Sequence, residues 1–172
     1  MLNAQQILDE GLLRLEHAQG KPAQVGFDLT LKQVNEVGMQ NQYENFKIGK
    51  VLKDSTQLTT YKPYPLISLE GNTGWMLYPG VYDITFNEGC KLPSNRVAFI
   101  KQRSSLYRNG AIINSPVFDP GFETEFMGTL IYVYRTIFIE ENARVAQIYF
   151  HECEAAELYN GQWQGDKQRT QQ

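Results

Sequence analysis

The sequence predicts a mostly β protein, a barrel or jelly roll of short strands behind one leading helix. Three observations carry this. Aromatic residues make up 12% of the chain, with 10 Tyr and 9 Phe, and they accompany scattered Val, Ile and Thr, the residue types that suit a pleated, half-buried surface. Apolar residues recur with period two in short runs separated by Pro, Gly, Asn and Asp turns. Helical periodicity of any length occurs only near the N-terminus. At 172 residues the chain suits one domain, expected over residues 1–158, followed by a flexible tail over 159–172 that is rich in Gln and Gly.

Residues 3–17 read as one amphipathic helix. Asn3 and Gln6 have capping-box spacing, Ile7, Leu8, Leu12 and Leu15 share a stripe, and Gly20-Lys21-Pro22 closes the element. Residues 25–31 alternate, placing Val25, Phe27, Leu29 and Leu31 on one face of a strand. Residues 35–56 are polar and resist assignment. Pro63 and Pro65 restrict 66–69 to a short or edge strand. Residues 75–77 lead into a Tyr78-Pro79-Gly80 turn, and Tyr82, Ile84 and Phe86 then alternate with polar neighbours. A strand over 96–101 precedes a short helix over 104–109, with Ser as its cap and Gly110 at its close. A strand over 111–113 and an Asp119-Pro120-Gly121 turn follow. Residues 129–139 read as one long strand buried on both faces, because they do not alternate, and 143–150 as the last strand.

Composition excludes several classes of function. A net charge of -3 argues against a broad nucleic-acid surface while leaving room for one small anionic ligand. With Cys 2 and His 2, far apart in the chain, the zinc site of the base deaminases cannot be assembled. Two lone cysteines fit a reducing cytosol. The N-terminus has neither a basic start nor an apolar h-region, and the apolar runs are too short for a bilayer, so neither a membrane nor a nucleic-acid partner is expected and the location expected is cytoplasmic.

Five stretches could carry chemistry. Arg103-Ser104-Ser105-Leu106-Tyr107-Arg108-Asn109-Gly110 places hydroxyls at the opening of a short helix, between two guanidiniums able to grip phosphate oxygens; it is also a well-capped surface turn. Asp119-Pro120-Gly121-Phe122 is a β-turn whose carboxylate could serve as a general base. Asp28, inside an apolar-periodic strand, either faces solvent or serves a site. The stretch from Ala143 to Phe150, with Arg144, Gln147 and Tyr149, reads neutrally as an edge or core strand with its polar residues outward. The tail, residues 159–167, carries two glycines but misses the Walker spacing, which leaves a linker as its plain reading.

Taken in this order, these stretches resemble the dUTPase and dCTP deaminase superfamily over most of the chain. Tyr78-Pro79-Gly80, Leu92-Pro93 and the run from Arg103 to Gly110 are similar to the P-G, L-P and R-S-S-L-x-R-x-G elements of that family. Gly26-Phe27-Asp28-Leu29 is similar to its first motif, Asp119-Pro120-Gly121-Phe122 to its third, Arg144-Val145-Ala146-Gln147 to its fourth, and residues 159–165 to the Y-x-G-x-Y-Q-G ending of the deaminase branch. The resemblance implies a β-clip, a distorted jelly-roll barrel with an N-terminal helix. It also implies a homotrimer with sites between subunits, closed by the C-terminal tail.

The family divides by chemistry. Its deaminases carry a Glu in the strand after the third motif, and here Val133 falls at that place; Val cannot shuttle protons. The spacer through Glu123 and Glu125 resembles that of archaeal-type dUTPases. The resemblance therefore implies a dUTP diphosphatase in which Asp119 activates water and Arg108 and Asp28 complete the catalytic set, Asp28 from behind. Arg103, Ser104, Ser105 and Gln147 would hold phosphates, Phe122 would pack on deoxyribose, and Gln164 would act from the tail. Mg²⁺ would ride on the substrate phosphates, with no metal site of the protein's own. The alternatives are metal-free deamination of dCTP and non-catalytic nucleotide binding on the same fold.

Overall fold

The capping box predicted at the N-terminus forms: the Asn3 side chain accepts from the Gln6 N–H and the Gln6 side chain accepts from the Asn3 N–H, both at 2.9 Å. The helix it opens, α1 (Ala4–Asp9), is much shorter than the 3–17 expected. Gly11 turns into the left-handed region at φ 62°, and the Leu12 N–H bonds back to the Ile7 carbonyl at 3.2 Å, closing the helix. The apolar residues beyond it are used by a strand instead, β1 (Leu13–Arg14).

The computed structural model describes residues 1–37, 61–154, 157–161 and 164–165. Beyond β1 these form β2 (Phe27–Val37), β3 (Tyr61–Pro63), β4 (Ile67–Leu69), β5 (Asn72–Leu77), β6 (Gly80–Phe86), β7 (Gly89–Lys91), β8 (Arg96–Gln102), α2 (Ser104–Arg108), β9 (Ala111–Asn114), β10 (Glu123–Thr124), β11 (Gly128–Val133), β12 (Ile137–Glu140) and β13 (Arg144–Glu152). The mostly β class is as the sequence predicts. Among the described residues no helix is long and apolar enough to cross a membrane.

The main sheet runs β8-β13-β2-β6-β11-β9, with β3 added on β2. Its two ends meet again. Ala98 of β8 and Phe118 exchange both backbone hydrogen bonds, at 3.0 and 2.9 Å, and the Gln102 side chain accepts from the Ile113 N–H of β9 at 3.4 Å. The sheet is thereby rolled into a nearly closed barrel around Leu29, Ile84, Ile100, Ile131 and Ile148, all buried. Two small sheets, β1-β7-β10 and β12-β5-β4, flank it.

Several expectations are corrected. β2 starts at Phe27, leaving Val25 exposed, and residues 27–31 are buried on both faces because β2 lies inside the sheet between β13 and β6. Residues 35–37 complete β2, while 38–56 lie outside the described residues. The long strand over 129–139 is two strands. β11 alternates half-buried and buried positions, the Tyr134 N–H then donates to the Gly110 carbonyl at 2.8 Å, and β12 leaves to pair with β5 in another sheet. In α2 the cap position is Arg103 rather than a serine, and it caps with no side-chain bond.

One buried acid holds the N-terminal segment to the barrel. The Glu88 carboxylate, fully buried, accepts from the N–H groups of Gln19 (3.2 Å), Gly20 (2.8 Å) and Thr30 (2.8 Å) and from the Thr30 hydroxyl (2.7 Å). Gly20 is required by close approach: a Cβ there would collide with the backbone carbonyl of Asp28.

Candidate active site

Asp28 lies in β2 with 2% of its surface exposed, yet its carboxylate is where three chain segments converge. Arg103, at the start of α2, donates from Nη1 to Oδ2 at 2.9 Å, and Arg144, at the start of β13, donates from Nη1 to the same oxygen at 3.0 Å. Gln147 donates from Nε2 to Oδ1 at 2.9 Å. The solvent-facing alternative for Asp28 is therefore wrong. Two guanidiniums satisfy the charge that burial would otherwise penalise, and their own side chains remain 27% and 38% exposed. The cluster is a positively charged surface whose geometry is set from behind by one anion.

Backbone irregularity makes this convergence possible. Arg144 and Gln147 are three residues apart, a separation that puts side chains on opposite faces of a regular strand. The pairing of β13 with β2 shifts register between Arg144 and Ala146, so Val145 is an extra residue and the alternation resets. Both polar side chains then reach Asp28, while Val145 and Ala146 are buried. The Val145 carbonyl also accepts the Arg103 N–H at 2.9 Å, tying the bulge to the start of α2. Gln147 stands opposite Asp28 on one side and opposite Lys101 on the other. Gly26, at φ 76°, lets the chain entering β2 run against the Ile148 carbonyl of β13, which accounts for the glycine of the first motif.

The other residues singled out from sequence are distributed as follows. Ser104 and Ser105 are exposed at the first two positions of α2, and Arg108 is exposed in its last turn. Asp119 is exposed at the start of a turn in which Gly121 takes φ 87° and the Phe122 N–H bonds to the Asp119 carbonyl at 3.1 Å. Phe122 is buried, with Phe118 at 5.5 Å and Tyr159 edge-on at 5.4 Å between ring centroids. Gln164 donates to the Gly121 carbonyl at 2.9 Å and accepts from the Glu123 N–H at 3.3 Å, while the Tyr159 N–H donates to the Pro120 carbonyl at 2.7 Å. The described part of the tail is thus fastened to the turn that carries Asp119.

Arg103 and Gln147 both contact Asp28; Asp119 is not with them. Asp119 follows Phe118, which is paired with Ala98, whereas Arg103 follows the far end of β8. The five residue steps from 98 to 103 span about 17 Å of strand. Val133 is buried in the core, and β11, Gly128-Thr129-Leu130-Ile131-Tyr132-Val133, contains no carboxylate at any position.

Two members of the cluster, Arg144 and Tyr149, lie in the 143–150 stretch but carry no site role in the reading of the sequence. The spacing of Arg144 to Gln147 would by itself put them on opposite faces of a regular strand. Tyr149 donates its hydroxyl to Gln147 Oε1 at 2.7 Å, and its place two residues along the same strand face was the signal available. Burial foremost, and the Asp28 charge after it, push the Tyr149 hydroxyl above its ordinary pKa.

A separate open cleft of about 610 Å³ is lined by Arg14, Glu16, His17, Glu123, Glu125 and Gln164, among others. Its charges are largely spent on one another, through Arg14 with Glu123 and His17 with Glu125. Among the described residues no group of three or more His, Cys, Asp or Glu is arranged to hold a metal ion.

The sequence model of the dCTP deaminase-like family matches residues 2–153. A Methanosarcina mazei protein named "Probable deoxyuridine 5'-triphosphate nucleotidohydrolase" is 31% identical over 159 residues, covering 88% of this chain and 87% of that one. A Methanocaldococcus jannaschii deoxyuridine 5'-triphosphate nucleotidohydrolase is 40% identical over 89 residues, covering 50% and 55%. Among solved structures, a 2'-deoxycytidine 5'-triphosphate deaminase from Agrobacterium tumefaciens superposes with a TM-score of 0.61 at 16% identity, over 88% of this chain and 48% of that chain, so the chain spans about half of that protein.

Proposed function

The chain belongs to the dCTP deaminase-like family, and from that premise we propose that it is an enzyme that hydrolyses dUTP to dUMP and pyrophosphate. The observation that carries the reading is the Arg103–Asp28–Arg144 cluster with Gln147 beside it. A guanidinium pair held at fixed separation meets the charge of a triphosphate chain without reorganising when the reaction occurs. The names of the archaeal relatives support the uracil nucleotide as substrate. The absence of any carboxylate on β11 supports hydrolysis over deamination.

In this mechanism Arg103, Arg144, Gln147, Ser104 and Ser105 bind the phosphates, and Arg108 lies at the edge of the same surface. Asp119 orients a water in line with the α-phosphorus and takes its proton. The new P–O bond forms as the bond to the β-phosphate breaks, and pyrophosphate leaves with the electron pair. Phe122 walls the deoxyribose, the backbone of residues 111–118 reads the base edge, and the tail bearing Gln164 closes the site. Mg²⁺, held by the substrate phosphates, would offset part of their charge. The distance along β8 between Asp119 and Arg103 is too long for both to serve one phosphate, so the working unit pairs Asp119 of one copy with the arginine cluster of its neighbour, within a homotrimer.

Incubation with dUTP and with dCTP, followed by product analysis, tests the reading. Pyrophosphate and dUMP from dUTP are expected, and ammonia from dCTP would overturn it. Melting stabilised by nucleotide with no product formed would instead support binding without catalysis. Asp119→Asn is expected to lower kcat about a thousandfold while leaving the assembly intact by size-exclusion chromatography.

A further inference from the structure

We propose that Tyr149 is a positioning residue for the phosphate-binding cluster, acting through Gln147 to fix the single amide donor left for substrate. The inference rests on the reading of the Asp28 cluster as an anion site. Gln147 has one carbonyl oxygen and two N–H bonds to place. Its oxygen accepts the Tyr149 hydroxyl at 2.7 Å and its nitrogen donates to Asp28 at 2.9 Å. Rotating the amide by half a turn would set its oxygen against the Asp28 carboxylate, acceptor facing acceptor, so this orientation is the one that the cluster accepts. Among the described residues the second N–H has no other partner, and it remains for a phosphate oxygen.

The two bonds hold the amide from opposite ends. Asp28 is itself held by Arg103 and Arg144, so a chain of bonds runs from the Tyr149 hydroxyl to both guanidiniums. Asp28, Gln147 and Tyr149 lie on neighbouring positions of one sheet face, with Asp28 directly opposite Gln147 and Tyr149 two residues beyond it. Gly26 leaves space for this arrangement: a Cβ there would press on the Tyr149 ring. Because its hydroxyl stays protonated well above neutral pH, Tyr149 remains a donor under any ordinary assay condition.

Tyr149→Phe removes the hydroxyl and keeps the ring, so the fold is expected to survive with an unchanged melting temperature. Two readouts test the role in the full-length protein. The first is KM and kcat for dUTP across a double-mutant cycle with Gln147→Ala. Tyr149→Phe is expected to raise KM about fivefold with kcat nearly constant, and to add nothing in the Gln147→Ala background, since Tyr149 acts only through that amide. The second is calorimetric binding of inorganic tripolyphosphate, which needs no turnover, and it should weaken by a similar factor. If wild type turns over no dUTP but binds tripolyphosphate, and Tyr149→Phe weakens that binding, the hydrolase reading falls and the role of Tyr149 stands. If dUTP is hydrolysed and Tyr149→Phe matches wild type in KM and in tripolyphosphate affinity, or if its effect is additive with Gln147→Ala, the role of Tyr149 falls and the hydrolase reading stands. Failure of wild type to bind tripolyphosphate overturns the inference outright.

Discussion

Asp28 and Glu88 are both acids with almost no exposed surface, Asp28 stands two positions along β2 from Thr30, a partner of Glu88, and the two acids do different work. Glu88 is surrounded by the N–H groups of Gln19, Gly20 and Thr30 and by the Thr30 hydroxyl. All of these donors are built into the backbone or sit one bond from it, so nothing in the arrangement reaches outward. Asp28 is satisfied by the ends of long side chains, Arg103, Arg144 and Gln147, which stay partly exposed. A buried carboxylate caged by backbone ties segments together. A buried carboxylate that holds guanidiniums by one edge presents their other edges to a ligand. What distinguishes Glu88 from Asp28, the acid of the proposed site, is the partner, since burial is nearly equal in the two.

The comparison can be broken at either end. The largest effect is expected at Glu88: Glu88→Ala leaves its donors buried without an acceptor and should cost roughly 3–5 kcal/mol of stability, read as a lower urea midpoint, while the folded fraction keeps wild-type turnover. Loss of turnover without loss of stability would move Glu88 to the site side of the comparison. Next comes Asp28→Asn, which removes the anion that aligns both arginines; kcat/KM for dUTP should fall about a hundredfold, with a smaller loss of stability because the arginines are already partly hydrated. Smallest is Arg144→Ala, expected to weaken nucleotide binding about tenfold by calorimetry, to flatten its salt dependence, and to lower the melting temperature by only a few degrees, because Arg103 and Gln147 still serve the buried Asp28 carboxylate.

Particular residues show why some of this could be read from the chain and some could not. The Asn3/Gln6 capping box, the Asp119-Pro120-Gly121 turn and the edge character of 67–69 are local, and local chemistry decided them. The length of α1 was misjudged because Leu12, Leu13 and Leu15 continue the helical period in sequence. Gly11 ends the helix, and of these residues only Leu13 enters a strand, β1, paired with β7. The run over 129–139 hid a change of sheet, since apolar residues look alike whichever sheet they join. Glu88 gave no signal at all: its donors come from residues 58 to 69 positions away.

The same division holds at the site. Which residue types would serve the proposed chemistry, the Arg103-Ser104-Ser105 run, the acid in β2, the amide in β13 and the Asp of the third motif, was suggested by the order of motifs along the chain. Which of them meet was decided by tertiary structure. The extra residue at Val145 turns Arg144 to the face of Gln147, the pairing of β13 with β2 sets Gln147 opposite Asp28, and about 17 Å of β8 lies between Ala98, the partner of Phe118, and Arg103. A strand's face is fixed by the parity of its register, and one bulged residue reverses that parity without leaving any mark in composition or spacing.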